Sequence, residues 1–314
     1  MMINREAVFI ADEEYDGVRI DSFIAAIDED LSRSYVSKLI GEGAARINGI
    51  RVKKSSARVS EGDRISLDIP ESRIPDILPE DIALDILYED SDVLVINKPK
   101  GMVVHPSNGH YSGTLVNALM FHCRDLSGIN GILRPGIVHR IDKDTTGSVL
   151  VCKNDAAHRS IAEQLKEHSV HRLYRAIVTG KLEEDGVIDK PIGRAKNDRK
   201  KMTVCPDGKR AVTHYHILDS FGDYSYIECR LETGRTHQIR VHMASIGHPL
   251  LGDAVYGTAK SPFKTEGQTL HAYILGFKQP VTGEYIETTA PMPEYFEKIL
   301  RILRARSSGP ASVK

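Results

Sequence analysis

The chain has 314 residues, of which 41% are hydrophobic and 27% charged, with a formal net charge of -1. That balance is ordinary for a globular protein of about two domains with a sizeable core. It excludes a membrane span, since no run approaches the roughly 20 apolar residues required. The opening MMINREAVFIADEEYDG has no apolar stretch of signal-peptide length, so a soluble cytoplasmic protein is expected. Cys123, Cys152, Cys205 and Cys229 form no C-x-x-C pair, so neither a disulfide framework nor a zinc site is expected. Charge is unevenly distributed. Arg33 to Arg58 holds seven basic residues against Glu42, and Pro191 to Arg210 holds seven against Asp198 and Asp207. Ile65 to Asn97 reverses the sign, with nine acids against Arg73. Two basic patches on a neutral chain suit a polyanion touched at chosen places, or simply a solvated surface.

In chain order, Ile20, Phe23, Ile24 and Ile27 follow i, i+3, i+4, i+7 spacing and predict a helix. A second helix carries Val36, Leu39 and Ile40, begins after Ser32 or Ser34 as cap, and stops near Gly43. ARINGIRVKK predicts a hairpin, because Asn48 and Gly49 both tolerate positive φ. RISLDI alternates Ile65, Leu67 and Ile69 as a strand. Over about residues 16 to 70, the text RIDSFIAAI, LSRSYVSKLIGEGAARINGIRV and EGDRISL resembles the S4 RNA-binding domain. That resemblance implies that Arg33, Ser34, Lys38, Lys53 and Lys54 face RNA phosphates, contacts that supply affinity without reading sequence.

Pro70, Pro75 and Pro79 punctuate the next stretch and predict an extended linker. Domain boundaries of 1–74, 75–81 (linker) and 82–303 follow, with 304–314 as a disordered tail. The second domain is strand-rich. DVLVINKP, GSVLVCKN, LYRAIVTG, AVTHYHIL and DYSYIECRLET read as strands, with Tyr174, Ala176 and Val178 on one face and Ser225, Ile227, Cys229 and Leu231 on another. NDAAHRSIAEQLKEH predicts a helix capped at Asn154 or Asp155. THQIRVHMASIG predicts a helix capped by Thr236, with Arg235 near its start, Arg240 in its second turn, and Gly247 at its end. The fold class is α+β, with a mainly antiparallel sheet in the second domain and a small α/β S4-like domain before it.

Two clusters carry reactive side chains. HRIDKDTTG, from His139 to Gly147, is a turn between an apolar approach and a strand. From spacing alone it reads first as a polar connection, then as the seat of a catalytic carboxylate, and least as a hard-cation site at Asp142 and Asp144. TGRTHQIRVH, from Thr233 to His242, gathers two arginines, two histidines and a glutamine at a helix start, which suits an anion. His237, His242 and His248 match no common zinc spacing.

From about Asp81 to Pro293 the chain closely resembles the RluD type of ribosomal large-subunit pseudouridine synthase, within the RluA family. The blocks that carry the likeness are YEDSDVLVINKPKGMVVHPSNGHYSGTLVNAL, GINGILRPGIVHRIDKDTTGSVLV, LYRAIVTG, PIGR, LETGRTHQIRVHMASIGHPLLGD and LHAYILGF. The resemblance implies Asp142 as nucleophile, Tyr174 as the ring that stacks on the flipped base, and Arg240, rather than Arg235, as partner of the aspartate. It implies that Arg140 fills the gap left in the RNA helix. His139 and Arg235 also count among the RNA-facing residues, and Arg199, Lys200 and Lys201 as holding backbone phosphates. Ile141 and Ser148 stand where leucine is usual, and Arg172 where lysine is typical. The implied partner is large-subunit ribosomal RNA, free or within a pre-ribosomal particle, met by a monomer without membrane.

The reaction breaks an N-glycosidic bond, turns the uracil and rejoins it through C5, so no redox cofactor or ATP is needed. No G-x-x-x-x-G-K-[ST] or G-x-G-x-x-G is present, and neither cofactor nor metal is expected. Attack on the base, attack on the sugar and removal of a sugar proton all start from an anionic aspartate, which a nearby guanidinium favours. Two rivals stand beside this reading. One is a non-catalytic RNA-binding ribosome-assembly factor; the other is a metal-dependent phosphodiesterase using Asp142, Asp144 and the histidines.

Overall fold

The computed structural model describes residues 3–28, 31–70, 77–106, 110–123, 126–129, 135–195, 198, 201–257 and 261–307. Contacts divide the chain into two compact units, Met1–Pro75 and Asp76–Lys314.

In the first unit, β1 (Ile3–Ile10) leads to α1 (Ile20–Ile27) and α2 (Arg33–Gly41). Then come β2 (Ala45–Ile47), β3 (Ile50–Val52) and β4 (Arg64–Pro70). The strands form one antiparallel sheet in the order β1-β4-β2-β3. Ile20, Phe23 and Ile24 of α1 pack with Val36, Leu39 and Ile40 of α2 over Ile65 and Leu67 of β4. Ile27, the last member of the expected stripe, is exposed at the end of α1. Ser32 is the cap of α2, its hydroxyl accepting from the Tyr35 amide at 3.3 Å. Asn48 and Gly49, at φ 47 and 79, make the two-residue turn between β2 and β3.

The expected linker at 75–81 is corrected from Ile77 onward. Ile77 is buried in the core of the second unit, the Leu78 carbonyl accepts from the Asn117 side chain at 2.8 Å, and the Glu80 carboxylate accepts from the Gly113 amide at 3.0 Å. Proline density marked an extended backbone but could not show that its side chains dock.

The second unit continues with β5 (Ile86–Glu89), β6 (Val93–Lys98), α3 (Leu115–His122), β7 (Thr146–Cys152), α4 (Asp155–Lys166) and β8 (His171–Thr179). It goes on through β9 (Gly186–Asp189), β10 (Ile192–Arg194), β11 (Met202–Val204), β12 (Val212–Ser220) and β13 (Tyr224–Leu231). It ends with α5 (Gln238–Ser245), β14 (Leu270–Lys278), β15 (Tyr285–Thr289) and α6 (Glu294–Ser307). The main sheet runs β5-β6-β7-β14-β8-β13-β12-β9, with β15 also on β14; β10 and β11 form a separate hairpin. Only the β7–β14 pair is parallel among these described ladders. This is the expected α+β class with mainly antiparallel pairing.

Core lies on both faces of the sheet. Leu94, Ile96, Val149 and Val151 meet Tyr174, Ala176, Ile227, Cys229, Ile239 and Met243 on one side. Val93, Val95, Leu150 and Cys152 meet Ala157 and Ile161 of α4 on the other. Burial on both faces explains why β6 and β7 read as unbroken apolar runs. The tail expectation is corrected for 304–307. Phe296, Ile299, Leu300 and Leu303 form a buried stripe, and the helix they anchor continues through Ser307. Residues 308–314 lie outside the described residues.

One glycine controls how the sheet reaches the site. Gly147, the second residue of β7, has φ 104, and a Cβ there would sit 2.2 Å from the Ala272 carbonyl oxygen. Only a glycine lets β7 lie this close to β14 at the point where the HRIDKDTTG turn enters the strand.

Candidate active site

The turn before β7 alternates like a strand. Ile141 points into the core and Arg140 is exposed, while Asp142 keeps its side chain 16% accessible. The turn is fastened from several sides. The Thr145 amide donates to the Asp142 carbonyl at 3.1 Å, the Gly101 amide to the Lys143 carbonyl at 3.1 Å, and the Gln268 side chain to the Thr145 hydroxyl at 3.1 Å. Lys98, fully buried, donates from Nζ to the carbonyls of Pro99, Met102 and Lys143 at 2.8–2.9 Å. Burial pushes its pKa down to about 7, against the charges of Asp144 and Asp142.

His139 turns inward. The Leu150 amide donates to its Nε2 at 2.9 Å, and burial, with the charge of Arg172, holds its pKa at about 3. It is therefore an uncharged brace between the turn and β7, and it also lines the cavity that opens over Asp142.

Arg240 reaches the carboxylate. Its Nη1 donates to Asp142 Oδ2 at 2.8 Å, while its Nε and Nη2 grip Asp253 Oδ2 and Oδ1 at 2.6 and 2.9 Å. Asp253 is itself held by the amides of Val255 and Tyr256 at 2.9 and 3.1 Å. Burial opposes the charge on Arg240, but the hydrogen bond and charge of Asp253 and the charge of Asp142 outweigh it and raise its pKa. Burial likewise opposes ionisation of Asp253, and Arg240 outweighs it. The guanidinium thus stays charged, its donor fork fixed by a buried acid and aimed at a half-buried one.

The start of α5 differs from expectation. The helix begins at Gln238, His237 occupies the cap position at φ 57 without a side-chain cap, and Thr236 is exposed before it. Arg240 therefore lies in the first turn. Gln238 takes over the fastening. Its Oε1 accepts from the Arg235 amide and the Thr233 hydroxyl, and its Nε2 donates to the Val212 carbonyl and the Thr213 hydroxyl. The C-terminus is as expected, with Gly247 at φ 86 and the His248 amide donating back to the Met243 carbonyl at 2.9 Å.

A cavity of about 590 Å³ opens over these groups, lined among others by Arg140, Asp142, Arg172, Tyr174, Arg235 and Arg240. Tyr174, mid-strand in β8, is buried, which pushes its phenol pKa up, with Arg172 opposing and Asp142 adding to the effect. Asp142 Oδ2 is taken by Arg240, whereas Oδ1 lies 3.8 Å from His237 Nε2. His237 is oriented by Tyr256, whose hydroxyl lies 2.8 Å from its Nδ1 and accepts from the Met202 amide at 2.9 Å. Burial lowers the pKa of His237 against the charge of Asp142.

The structure brings Asp142, Tyr174, Arg240, His139, Arg140 and Arg235 to one cavity. Arg235 is exposed and donates to the Arg210 carbonyl at 3.0 Å rather than to Asp142. Arg140 reaches His105 Nε2 at 3.2 Å. Lys201 is exposed, and Arg199 and Lys200 lie outside the described residues. In the first unit Ser34, Lys53 and Lys54 are exposed, Arg33 donates to Asp21 at 3.2 Å, and Lys38 lies 3.8 Å from Glu42. His242 and His248 are engaged by Thr213 and Lys190, and by Thr179, so with His237 they form no convergent set. Asp253, Tyr256 and Lys98 belong to the site without having been assigned a role from sequence. The only sequence signal for Lys98 and Asp253 was their place inside the NKPKG and LLGD blocks, and Tyr256 lies three residues beyond the second.

Residues 92–245 match the family described as RNA pseudouridylate synthase, and residues 18–65 match the S4 domain. A Bacillus subtilis protein named as the uncharacterized RNA pseudouridine synthase YlyB is 54% identical over 295 residues, 94% of this chain and 97% of its own. A ribosomal large subunit pseudouridine synthase D of Zymomonas mobilis is 46% identical, covering 93% of this chain and 95% of its own. Among solved structures, human RNA Pseudouridylate Synthase Domain Containing 1 superposes with a TM-score of 0.54 at 26% identity, covering 71% of this chain and 95% of that one. With likeness of this extent over both units, the chain belongs to the RNA pseudouridine synthase family and carries an S4 domain.

Proposed function

We propose that this protein isomerises uridine to pseudouridine in large-subunit ribosomal RNA, with Asp142 as the reacting carboxylate. One observation carries the reading: a half-buried aspartate, with one oxygen fixed by a buried arginine, lines the same cavity as a tyrosine. The ribosomal substrate is supported by what the Zymomonas relative is named for, and by the S4 domain.

The chemistry follows from those groups. The N1–C1′ bond breaks, the uracil turns, C5 bonds to C1′, the C5 proton leaves and N1 gains one, so composition is unchanged. Arg240 keeps Asp142 paired with a permanent cation, and Asp253 keeps Arg240 from swinging into the cavity. The target nucleotide must leave the stack, at a cost of a few kcal/mol. Stacking on Tyr174 returns about 1–3 kcal/mol. Arg140, exposed at the cavity rim, fills the vacated position. Lys201 and the neighbouring Arg199 and Lys200 hold backbone phosphates, and the exposed lysines of the S4 unit add affinity. The protein acts as a monomer in the cytoplasm, on free RNA or a pre-ribosomal particle; no helix among the described residues is long and apolar enough to cross a membrane.

The test uses large-subunit RNA tritiated at uracil C5, with a chelator present. Wild type releases tritium and Asp142→Ala does not. Equal release by both proteins removes Asp142 from the mechanism, and metal-dependent cleavage of the RNA chain with the C5 tritium retained favours the phosphodiesterase alternative.

A further inference from the structure

Two arginines are buried among the described residues, Arg172 and Arg240. Their surroundings are opposite. Arg240 is gripped by two carboxylates. Arg172, 7% exposed, has no carboxylate partner among the described residues; its Nε has no hydrogen bond, and its Nη2 makes one long contact of 3.4 Å to the Glu232 carbonyl. Burying a cation without a counter-charge is unfavourable, and proteins keep such an arrangement where a ligand completes it.

The position says which ligand. Arg172 is the second residue of β8 and Tyr174 the fourth, so both side chains stand on one face, roughly 7 Å apart along the strand. Both line the cavity that holds Asp142. Beside Arg172 the wall is Gly234, where a Cβ would lie 2.9 Å from Nη1; the missing side chain gives the guanidinium its space. Besides Tyr174, the other ionisable groups lining the cavity are His139, Arg140, Lys166, His168, Arg235, His237 and Arg240, with Asp142 as the acid. A planar donor fork in basic surroundings matches the two oxygens of a phosphodiester; a uracil carbonyl would use one donor and leave the charge uncompensated.

Building on the uridine-isomerising role proposed above, we infer that Arg172 is a substrate-binding residue that receives a backbone phosphate next to the flipped uridine. Tyr174 then fixes the base and Arg172 the adjoining phosphate, and the nucleotide between them is presented to Asp142. The design trades stability for binding, because the cation is uncompensated until RNA arrives.

The experiment measures affinity for large-subunit RNA across a salt series, thermal midpoint, and tritium release, for wild type, Arg172→Met, Arg172→Lys and Gly234→Ala. Arg172→Met weakens binding about tenfold or more and reduces the slope of log affinity against log salt by about 0.7–0.9, the contribution of one phosphate. Its thermal midpoint holds or rises, since a buried unpaired charge has become an apolar side chain. Arg172→Lys restores the slope but only part of the affinity, and Gly234→Ala, which crowds Nη1 while leaving the charge, weakens binding as well. Should Arg172→Met not fold, the lysine and Gly234 variants carry the test. An unchanged salt slope, or a lowered thermal midpoint with unchanged affinity, overturns the assignment. If wild type binds with the expected slopes yet releases no tritium, the proposed reaction fails and the phosphate contact stands. If wild type releases tritium and no variant alters the slope, the phosphate contact alone fails.

Discussion

Replacing Asp253 by asparagine isolates the brace behind the reacting carboxylate. The two oxygens of Asp253 accept four hydrogen bonds, from Arg240 Nε and Nη2 and from the amides of Val255 and Tyr256. An asparagine keeps one oxygen, which retains the three contacts of Oδ1, and turns an N–H toward the N–H of Arg240 Nε. One charge-assisted bond, worth about 1.5–3 kcal/mol, is lost. Removing one partner of a buried pair costs about 3–5 kcal/mol. Because Asp142 still faces Arg240, the lower end applies, about 3 kcal/mol in unfolding stability. For catalysis, an arginine displaced by roughly 1 Å costs about 10²-fold. The fall belongs in kcat, since RNA is held elsewhere and KM moves little. Tritium release at saturating RNA, with urea unfolding in parallel, reads both quantities. A kcat within threefold of wild type would refute the idea that Asp253 positions Arg240.

Further expectations concern other parts of the chain. Gly147→Ala forces a Cβ to 2.2 Å from the Ala272 carbonyl oxygen at φ 104, so the variant loses more than about 3 kcal/mol of stability; an unchanged urea midpoint contradicts the close approach of β7 to β14. Asp21 is held below its ordinary value of 3.8 by Arg19 first, with Arg33 and Ser37 adding and burial opposing. Its folded pKa lies below the unfolded one, so its contribution is complete above about pH 4 and is lost as pH falls through the folded value. Exchange protection factors of the amides in α1 and α2, corrected for intrinsic rate, therefore fall in acid in wild type, and those of Asp21→Asn are already low at neutral pH and change less with acid. Replacing Lys53 and Lys54 together by alanine reduces the salt slope of RNA binding by about 1–2 and leaves kcat at saturation unchanged; an unaltered slope removes these lysines from the RNA-facing set.

How much of this was legible in the sequence depended on whether a residue's environment is local. Tyr174, Ala176 and Val178 share a buried face as their alternation predicts, and the NG turn and Gly247 sit where their backbone conformations require. Thr236 looked like a helix cap because it precedes the periodic segment. The actual fastening runs through Gln238 to Val212 and Thr213 on β12, a contact between residues far apart in the chain. Asp253 follows Arg240 by thirteen residues, a distance that matches no helical or strand period, so only the folded chain reveals the pairing. RARS ran into a Ser-Ser-Gly-Pro stretch and read as tail, yet the buried stripe ending at Leu303 carries the helix through Ser307. The reactive turn could be located from its residue types; its brace could not.

Pseudouridine in nuclease-digested large-subunit RNA, separated chromatographically from uridine after incubation with purified protein and chelator, tests whether Asp142 acts on the nucleotide. Wild type is predicted to convert a fixed, small number of uridines, whereas Asp142→Asn, nearly isosteric and still able to fold around Arg240, converts none. Full conversion by Asp142→Asn, or none by wild type on both naked RNA and ribosomal particles, would contradict the account.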